Sequence, residues 1–329
     1  MPGSETTATV ALRRAAVRAT RAPSIHNTQP WALALTPTSL ELHADRGRQL
    51  RVLDPRCRQL LISCGCALFN ARSALAHSGY DGIVERFPDP DRADLVARIG
   101  AEEPGPAADA ALARLDESIE TRRTNRREFS DDVVPAPVVD ALVAAARAEG
   151  AEVMVIVRPE DRVTITRLSQ LADQIEMTDP AYRAELRAWT TDDPRRDDGV
   201  PAFAVPHVDS GAQDDVPIRD FDTHGVGWLP TRTRSSQYQC LLLVGASEDN
   251  PVAWLRTGEA LERVLLEATR LGYAASPLTQ MIEVARTNAE LRQQLRLVMH
   301  PHVLLRVGLA PRTPETRRRR LVDVLTNLG

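Results

Sequence analysis

Apolar positions recur at helical spacing in two stretches of the chain that resemble each other. Between Gly65 and Gly79, the side chains of Leu68, Ala71, Leu75 and Ala76 fall on one helical face. Between Gly258 and Gly272, Leu261, Val264, Leu265, Ala268 and Leu271 do the same. Both glycine pairs are fourteen positions apart, and each closing glycine stands where a helix C-cap would put it. Upstream, an alanine- and arginine-rich helix over Ala8–Arg21 has a counterpart over Pro137–Ala148. Each is followed by a strand, Ala32–Leu35 and Val153–Val157, and further strands are expected over Leu40–His43, Gln239–Gly245 and Val303–Val307.

The offset between the copies grows from about 126 at the first helix to 193 at the glycine-bounded helix. The second copy therefore carries an insertion of about 67 residues, between Arg158 and about Ser236. Its first part, Asp161–Leu171, has a helical pattern that Ala181–Trp189 continues. Asp192–Trp228 is rich in Asp, Pro and Gly, and long segments of this kind are lids, binding loops or linkers. Phe203, Phe221 and Trp228 are costly to leave in water, which favours a partly ordered lid over a disordered tail. The expected fold is α+β, with two related halves, 1–118 and 119–329, packed as a pseudo-dimer about an approximate two-fold axis.

Composition narrows the chemistry. The chain has 329 residues, and all 41 of its basic residues other than histidine are arginine. Without lysine there is no Schiff-base lysine, no phosphate-loop lysine and no kinase-type lysine. A GC-rich genome would also produce this replacement. The net charge of −4 does not suggest a general nucleic-acid or membrane-surface binder. The longest apolar run, near Leu241–Ala246, is too short to span a bilayer, and residues 1–17 do not read as a signal peptide, so a cytoplasmic protein is expected. Cys57, Cys64, Cys66 and Cys240 make no disulfide framework. Cys64 and Cys66 are too close together for an ordinary zinc pair, so the four are expected as small buried residues and no metal is expected.

Three segments could carry chemistry. Arg21-Ala-Pro-Ser-Ile-His-Asn-Thr-Gln-Pro-Trp31 packs Ser24, His26, Asn27, Thr28 and Gln29 between a helix and a strand. These residues suit hydrogen bonding to a flat polar ligand, and equally a helix C-cap and turn. Thr121-Arg-Arg-Thr-Asn-Arg-Arg-Glu-Phe129 offers guanidinium groups and a hydroxyl, which are good phosphate ligands. Thr316-Arg-Arg-Arg-Arg-Leu321 is a basic tail or, given Leu321, Val322, Val324 and Leu325, an ordered, packed end. No Ser/His/Asp or paired-carboxylate constellation stands out.

Taken together, these segments resemble the FMN-dependent nitroreductases. Ala22–Trp31 looks like their P-S-x-x-N-x-Q-P-W segment, and Arg122–Arg126 is similar to their arginine–serine phosphate segment. Leu271-Gly-Tyr-Ala-Ala-Ser-Pro-Leu-Thr279 resembles their turn beneath the flavin ring. Leu305–Pro311 resembles their last core strand, and Arg318–Arg320 their closing basic residues. The segment from Asp54-Pro55 through Ser63-Cys-Gly65 to Ala67-Leu68, with the fused repeat, is similar to the actinobacterial Acg-like NAD(P)H nitroreductases.

The resemblance implies one FMN per chain, bound between the halves. The phosphate arginines stand only in the second copy and the P-S-x-x-N segment only in the first, its counterpart being Ala148–Ala151. It further implies that Arg122, Thr124, Arg126, Arg318 and Arg320 hold the phosphate. Ser24, Asn27 and Gln29 would address the ring edge or ribityl chain, and the backbone of Ala274, Ala275 and Ser276 would face the ring. The flavin carries the chemistry, no protein acid–base pair is required, and His26 is expected to be structural. NAD(P)H would visit transiently and reduce the flavin for nitro- or quinone-type acceptors. The chain would be a monomer with an internal two-fold, or associate further. Thr124 stands where serine is usual, and the turn has become Gly272-Tyr-Ala-Ala275. A closed lid leaves a second expectation: flavin storage or sequestration with little turnover.

Overall fold

A computed structural model describes residues 6–103, 109–206, 211–222, 229–230, 232–234 and 239–328. The first half runs α1 (Thr7–Ala19), β1 (Trp31–Leu35), β2 (Ser39–Ala44), α2 (Arg58–His77), β3 (Asp81–Arg86) and β4 (Leu95–Glu102). The short helices α3 (Ala110–Ala113) and α4 (Asp116–Ile119) lead to the second half. There α5 (Ala136–Ala148) and β5 (Glu152–Val155) precede the insertion, which contains α6 (Pro159–Thr178), α7 (Pro180–Ala188), β6 (Gln213–Asp214) and β7 (Thr233–Arg234). The chain continues through β8 (Cys240–Ala246), α8 (Pro251–Arg270), β9 (Ala274–Leu278), α9 (Gln280–Glu283), α10 (Ala285–Gln294) and β10 (His300–Gly308). A C-terminal arm ends in α11 (Leu321–Val324) and β11 (Leu325–Asn327).

The repeat reappears as topology. The first sheet has the order β1-β2-β4-β3 and the second β5-β8-β10-β9, with neighbours antiparallel in both. The insertion replaces the tight β1–β2 connection at the equivalent place, between β5 and β8. The arm returns to the first half, where β11 adds to the sheet parallel to β1, pairing Leu325 with Leu33. The C-terminus is thus an ordered, packed end and not a basic tail.

Between the sheets, α2 and α8 cross at the repeat glycines. A Cβ on Gly65 would lie 2.0 Å from the Leu255 carbonyl oxygen and 2.8 Å from Gly258 Cα. A Cβ on Gly258 would meet the Ile62 carbonyl at 2.0 Å and Gly65 Cα at 2.8 Å. The contacts are reciprocal under the same 193-residue offset, and only glycine allows backbones this close. Gly65 and Gly258 therefore lie inside their helices, not at the start of them. Each helix is 20 residues long, and α2 is buried over nearly all its faces, which erases the one-sided apolar stripe that marks a helix boundary in sequence. Gly79 and Gly272 do close the helices, at φ 81° and 84°. One core cluster joins Leu12, Trp31, Leu68 and Val96 of the first half with Leu142, Val244, Leu255 and Leu305 of the second.

Strands β3 and β4 had no sequence expectation. β3 is a half-exposed edge strand whose Asp, Gly, Glu and Arg residues hide its alternation. The expected strand over Val153–Val157 stops at Val155, since Pro159 opens α6. All four cysteines are buried and free. In the insertion, Phe221 is buried but Phe203 is 50% exposed, contrary to the expectation that both would be covered; Trp228 and Ser236 lie outside the described residues. No described helix is long and apolar enough to cross a membrane, and no described cluster of His, Cys, Asp and Glu could hold a metal ion.

Candidate functional site

The Pro23–Trp31 segment leaves α1 in an unusual backbone. His26, Asn27 and Gln29 all have positive φ, at 46°, 55° and 48°. Such conformations are uncommon outside glycine and concentrate at functional sites. The loop is held by its own hydrogen bonds: Gln29 N donates to Ser24 Oγ (2.9 Å) and Thr28 N to the Ile25 carbonyl (2.9 Å). Ile25 N donates to Ser63 Oγ on α2 (3.2 Å). Its amides fasten two other segments. Asn27 Nδ2 donates to the Gly199 carbonyl of the insertion (2.9 Å), and Asn27 Oδ1 accepts from Arg318 Nη1 (3.1 Å). Gln29 Nε2 donates to the Asp197 carbonyl (2.8 Å), and its Oε1 accepts from Arg319 N (2.7 Å).

The Arg122–Phe129 segment lies along the edge of the second sheet. Thr124 bridges to Ala275 of β9, and Asn125 N donates to the Ala275 carbonyl (3.0 Å). This presents Arg122, Thr124 and Arg126 to the Pro23–Trp31 loop. Together with Arg318 they line a cavity of about 580 Å3 that Ser24 and Asn27 also reach. Arg122 is buried, and its Nε and Nη1 have no hydrogen-bond partner among the described residues; Nε stands 3.5 Å from Glu262 Oε1. Arg318 Nε is likewise unpartnered. Burial, with Arg122 and Arg123 nearby, pushes the Arg318 guanidinium down to about 9. Burial, with Arg219 nearby, pushes Arg126 to about 10. Burial raises the Glu262 carboxyl to about 7 against the pull of Arg122. The rim acids Glu120 and Glu315 are engaged by Arg18, Arg21 and Arg123. Buried guanidinium donors without acceptors are expensive, and a dianionic phosphate supplies both the charge and the acceptors they lack.

Pro23, Ser24, Thr124 and Arg126 also open onto a second cavity, partly open to solvent. Its apolar walls come from both halves: Ile25 and Ile62 from the first, Leu261, Pro277, Leu278 and Val303 from the second. The insertion closes it with Ile218, Arg219 and Phe221. Phe221 packs under Arg126, 5.3 Å from its ring centroid, and edge-on to His26 at 5.5 Å. Arg219 is tied to Glu176 (3.2 Å), to Glu283 and to the Tyr182 hydroxyl. A cationic pocket that shares lining residues with a mostly apolar chamber suits a planar ring on a phosphorylated chain.

The structure brings Ser24, Asn27, Arg122, Thr124, Arg126 and Arg318 together. It does not bring Gln29 or Arg320 to either cavity. The Gln29 side chain is spent on Asp197 and Arg319, and Arg320 is exposed and paired with Asp323 (2.8 Å). Arg317 reaches the Pro194 carbonyl, and Arg319 the Trp31 carbonyl (3.2 Å). Ala274, Ala275 and Ser276 belong to strand β9, not to a turn, and line neither cavity; Pro277, Leu278, Thr279 and Gln280 do. The buried Ser276 hydroxyl has no partner among the described residues. Sequence reasoning missed Gln59, Leu261, Arg219 and Glu262. The signal for the three residues on α2 and α8, Gln59, Leu261 and Glu262, was the glycine repeat, which places those helices against each other.

At the repeat-related position lies a third cavity. Gly150, Ala151, Val252, Arg256 and Thr257 line it where Ser24, Ile25, Gln59, Ser63 and Cys64 stand in the first copy. Arg256 is the one arginine among its lining residues.

A profile described as the Nitroreductase family matches residues 119–309. The chain is 38% identical over 332 residues to "Putative NAD(P)H nitroreductase Rv3131" of Mycobacterium tuberculosis, covering 98% of this chain and 92% of the relative. It is 32% identical to "Putative NAD(P)H nitroreductase acg" of the same organism, covering 98% and 97%. Among solved structures it is similar to a nitroreductase with bound FMN from Bacteroides fragilis, with 15% identity, a TM-score of 0.37, and 63% and 93% of the two chains covered. The matched profile spans more than half of the chain and the relatives nearly all of it: this protein belongs to the nitroreductase family.

Proposed function

We propose that the chain binds one FMN between its halves and passes electrons from NAD(P)H to nitro- or quinone-type acceptors. The observation that carries this reading is the pocket lined by Arg122, Arg126 and Arg318, in which Arg122 Nε and Nη1 and Arg318 Nε have no partner among the described residues, opening into the mostly apolar chamber. Arg122, Thr124, Arg126 and Arg318 would hold the phosphate by charge-assisted hydrogen bonds. Ser24 and Asn27 would lie along the connecting chain, and the backbone over Pro277–Thr279 would face the ring in place of Ala274–Ser276. Bound FMN supplies the hydride chemistry. The protein's part is to fix the phosphate, align the ring between α2 and β9, and exclude water with Phe221. The chain acts as a pseudo-dimer in one polypeptide, and the related cavity, with Arg256 as the one arginine among its lining residues, holds no flavin.

One observation favours a second reading. The insertion supplies Ile218, Arg219 and Phe221 to the ring chamber and is fastened by Asn27 and Gln29, which suits a stored flavin. Anaerobic mixing of the flavin-loaded chain with NADPH and with NADH separates the two. Bleaching of the flavin band within seconds supports the reductase. An unchanged spectrum with flavin retained supports storage, and failure to retain flavin overturns both.

A further inference from the structure

His26 is 4% exposed, lines the ring chamber, and has no hydrogen-bond partner at Nδ1 or Nε2 among the described residues. A histidine kept for packing alone would satisfy its ring nitrogens, because leaving a buried donor or acceptor unmet is costly. The backbone here is left-handed, at φ 46°, and the residue lines the chamber. Among the described residues, Phe221, edge-on at 5.5 Å, is its one aromatic neighbour. Two buried polar atoms and a strained residue at one point of the chamber wall call for a ligand.

We propose that His26 is a ligand-contacting residue of the ring chamber, whose imidazole hydrogen-bonds a ring carbonyl or ring nitrogen of the planar molecule seated there. The inference rests on the flavin reading and assigns a role that the expectation of a structural histidine did not. Burial holds the imidazole well below its ordinary range, and Arg219 and Arg126 push the same way. The side chain is therefore neutral at physiological pH and offers one donor and one acceptor. It recognises a neutral heterocyclic edge and does not act as a charged clamp. Two molecules carry that chemistry: the flavin ring itself and a quinone-type acceptor stacked on it.

The test compares the full wild-type chain with His26→Phe and His26→Asn. Phenylalanine keeps a ring against Phe221 but removes both nitrogens. Asparagine tolerates left-handed backbone and restores a donor and an acceptor. If His26 contacts the flavin ring, His26→Phe weakens FMN and riboflavin by the same factor, about 3- to 10-fold, and shifts the visible absorption bands. If it contacts the acceptor, flavin affinity is unchanged and KM for menadione rises by a similar factor at constant kcat. In either case His26→Asn recovers part of the loss. Unchanged flavin affinity, spectrum and menadione KM in a folded His26→Phe chain overturn the proposal. Should that variant not fold, nitrogen NMR of the wild-type imidazole decides. A shift of the His26 ring signals on adding riboflavin or menadione supports the contact, and unmoved signals overturn it. A wild-type chain that binds no flavin overturns the flavin reading itself, a result distinct from equal binding by wild type and variant.

Discussion

Arg122, buried, and Arg126 and Arg318, half-buried, surround one pocket, while Arg320, two residues beyond Arg318, is exposed. Replacing Arg126 or Arg318 by alanine is expected to weaken FMN binding by roughly 10- to 100-fold, the scale of a hydrogen bond to a charged group. Replacing Arg320 should leave it unchanged, and flavin fluorescence titration checks all three. Because the chain has no lysine, this clamp consists of fixed-charge planar donors. Glu262 gives a second expectation. Its carboxyl is raised from 4.5 to about 7 in the folded chain, so the folded state holds the proton more tightly than the unfolded state. Without flavin, the wild type should lose stability relative to Glu262→Gln as pH rises from about 4.5 to 7, by roughly 3 kcal/mol in all, with no further loss above. Urea melts of both proteins across that window measure it. The arginine segments were legible in the sequence, but the roles within Arg317–Arg320 were not. In an extended arm, neighbouring side chains point in different directions, and only the partners Pro194, Asn27, Trp31 and Asp323 show which way each turns.

At the scale of elements, the crossing of α2 and α8 makes the strictest demand. Gly65→Ala would push a methyl group to 2.0 Å from a backbone carbonyl that cannot swing aside. It should cost about 3 kcal/mol or more, as should Gly258→Ala, and both are read by urea denaturation. The repeat that exposed these glycines was plain in the sequence. The full length of their helices was not, since burial on all sides leaves no polar face to mark the ends. The insertion was legible by arithmetic, but its attachment was not, because it depends on carbonyl groups of Asp197 and Gly199 that no side-chain pattern reveals. Gln29→Ala would leave the Asp197 carbonyl and Arg319 N–H without their partner in a partly buried place. A loss of about 1–3 kcal/mol and faster proteolysis within the insertion are expected.

At the scale of the whole molecule, two halves with the same strand order carry cavities of different character. One has the arginines, the P-S-x-x-N loop and the insertion; the related one has Gly150, Ala151 and a single Arg256. A symmetric dimer of identical chains must keep or lose both sites together. A fused pair can let each half drop a different part, and only one complete set then remains. The most direct test is equilibrium titration of the flavin-free chain with FMN. One FMN bound per chain is expected, with riboflavin weaker for want of the phosphate. Two FMN per chain, none, or equal affinity for riboflavin would contradict the account.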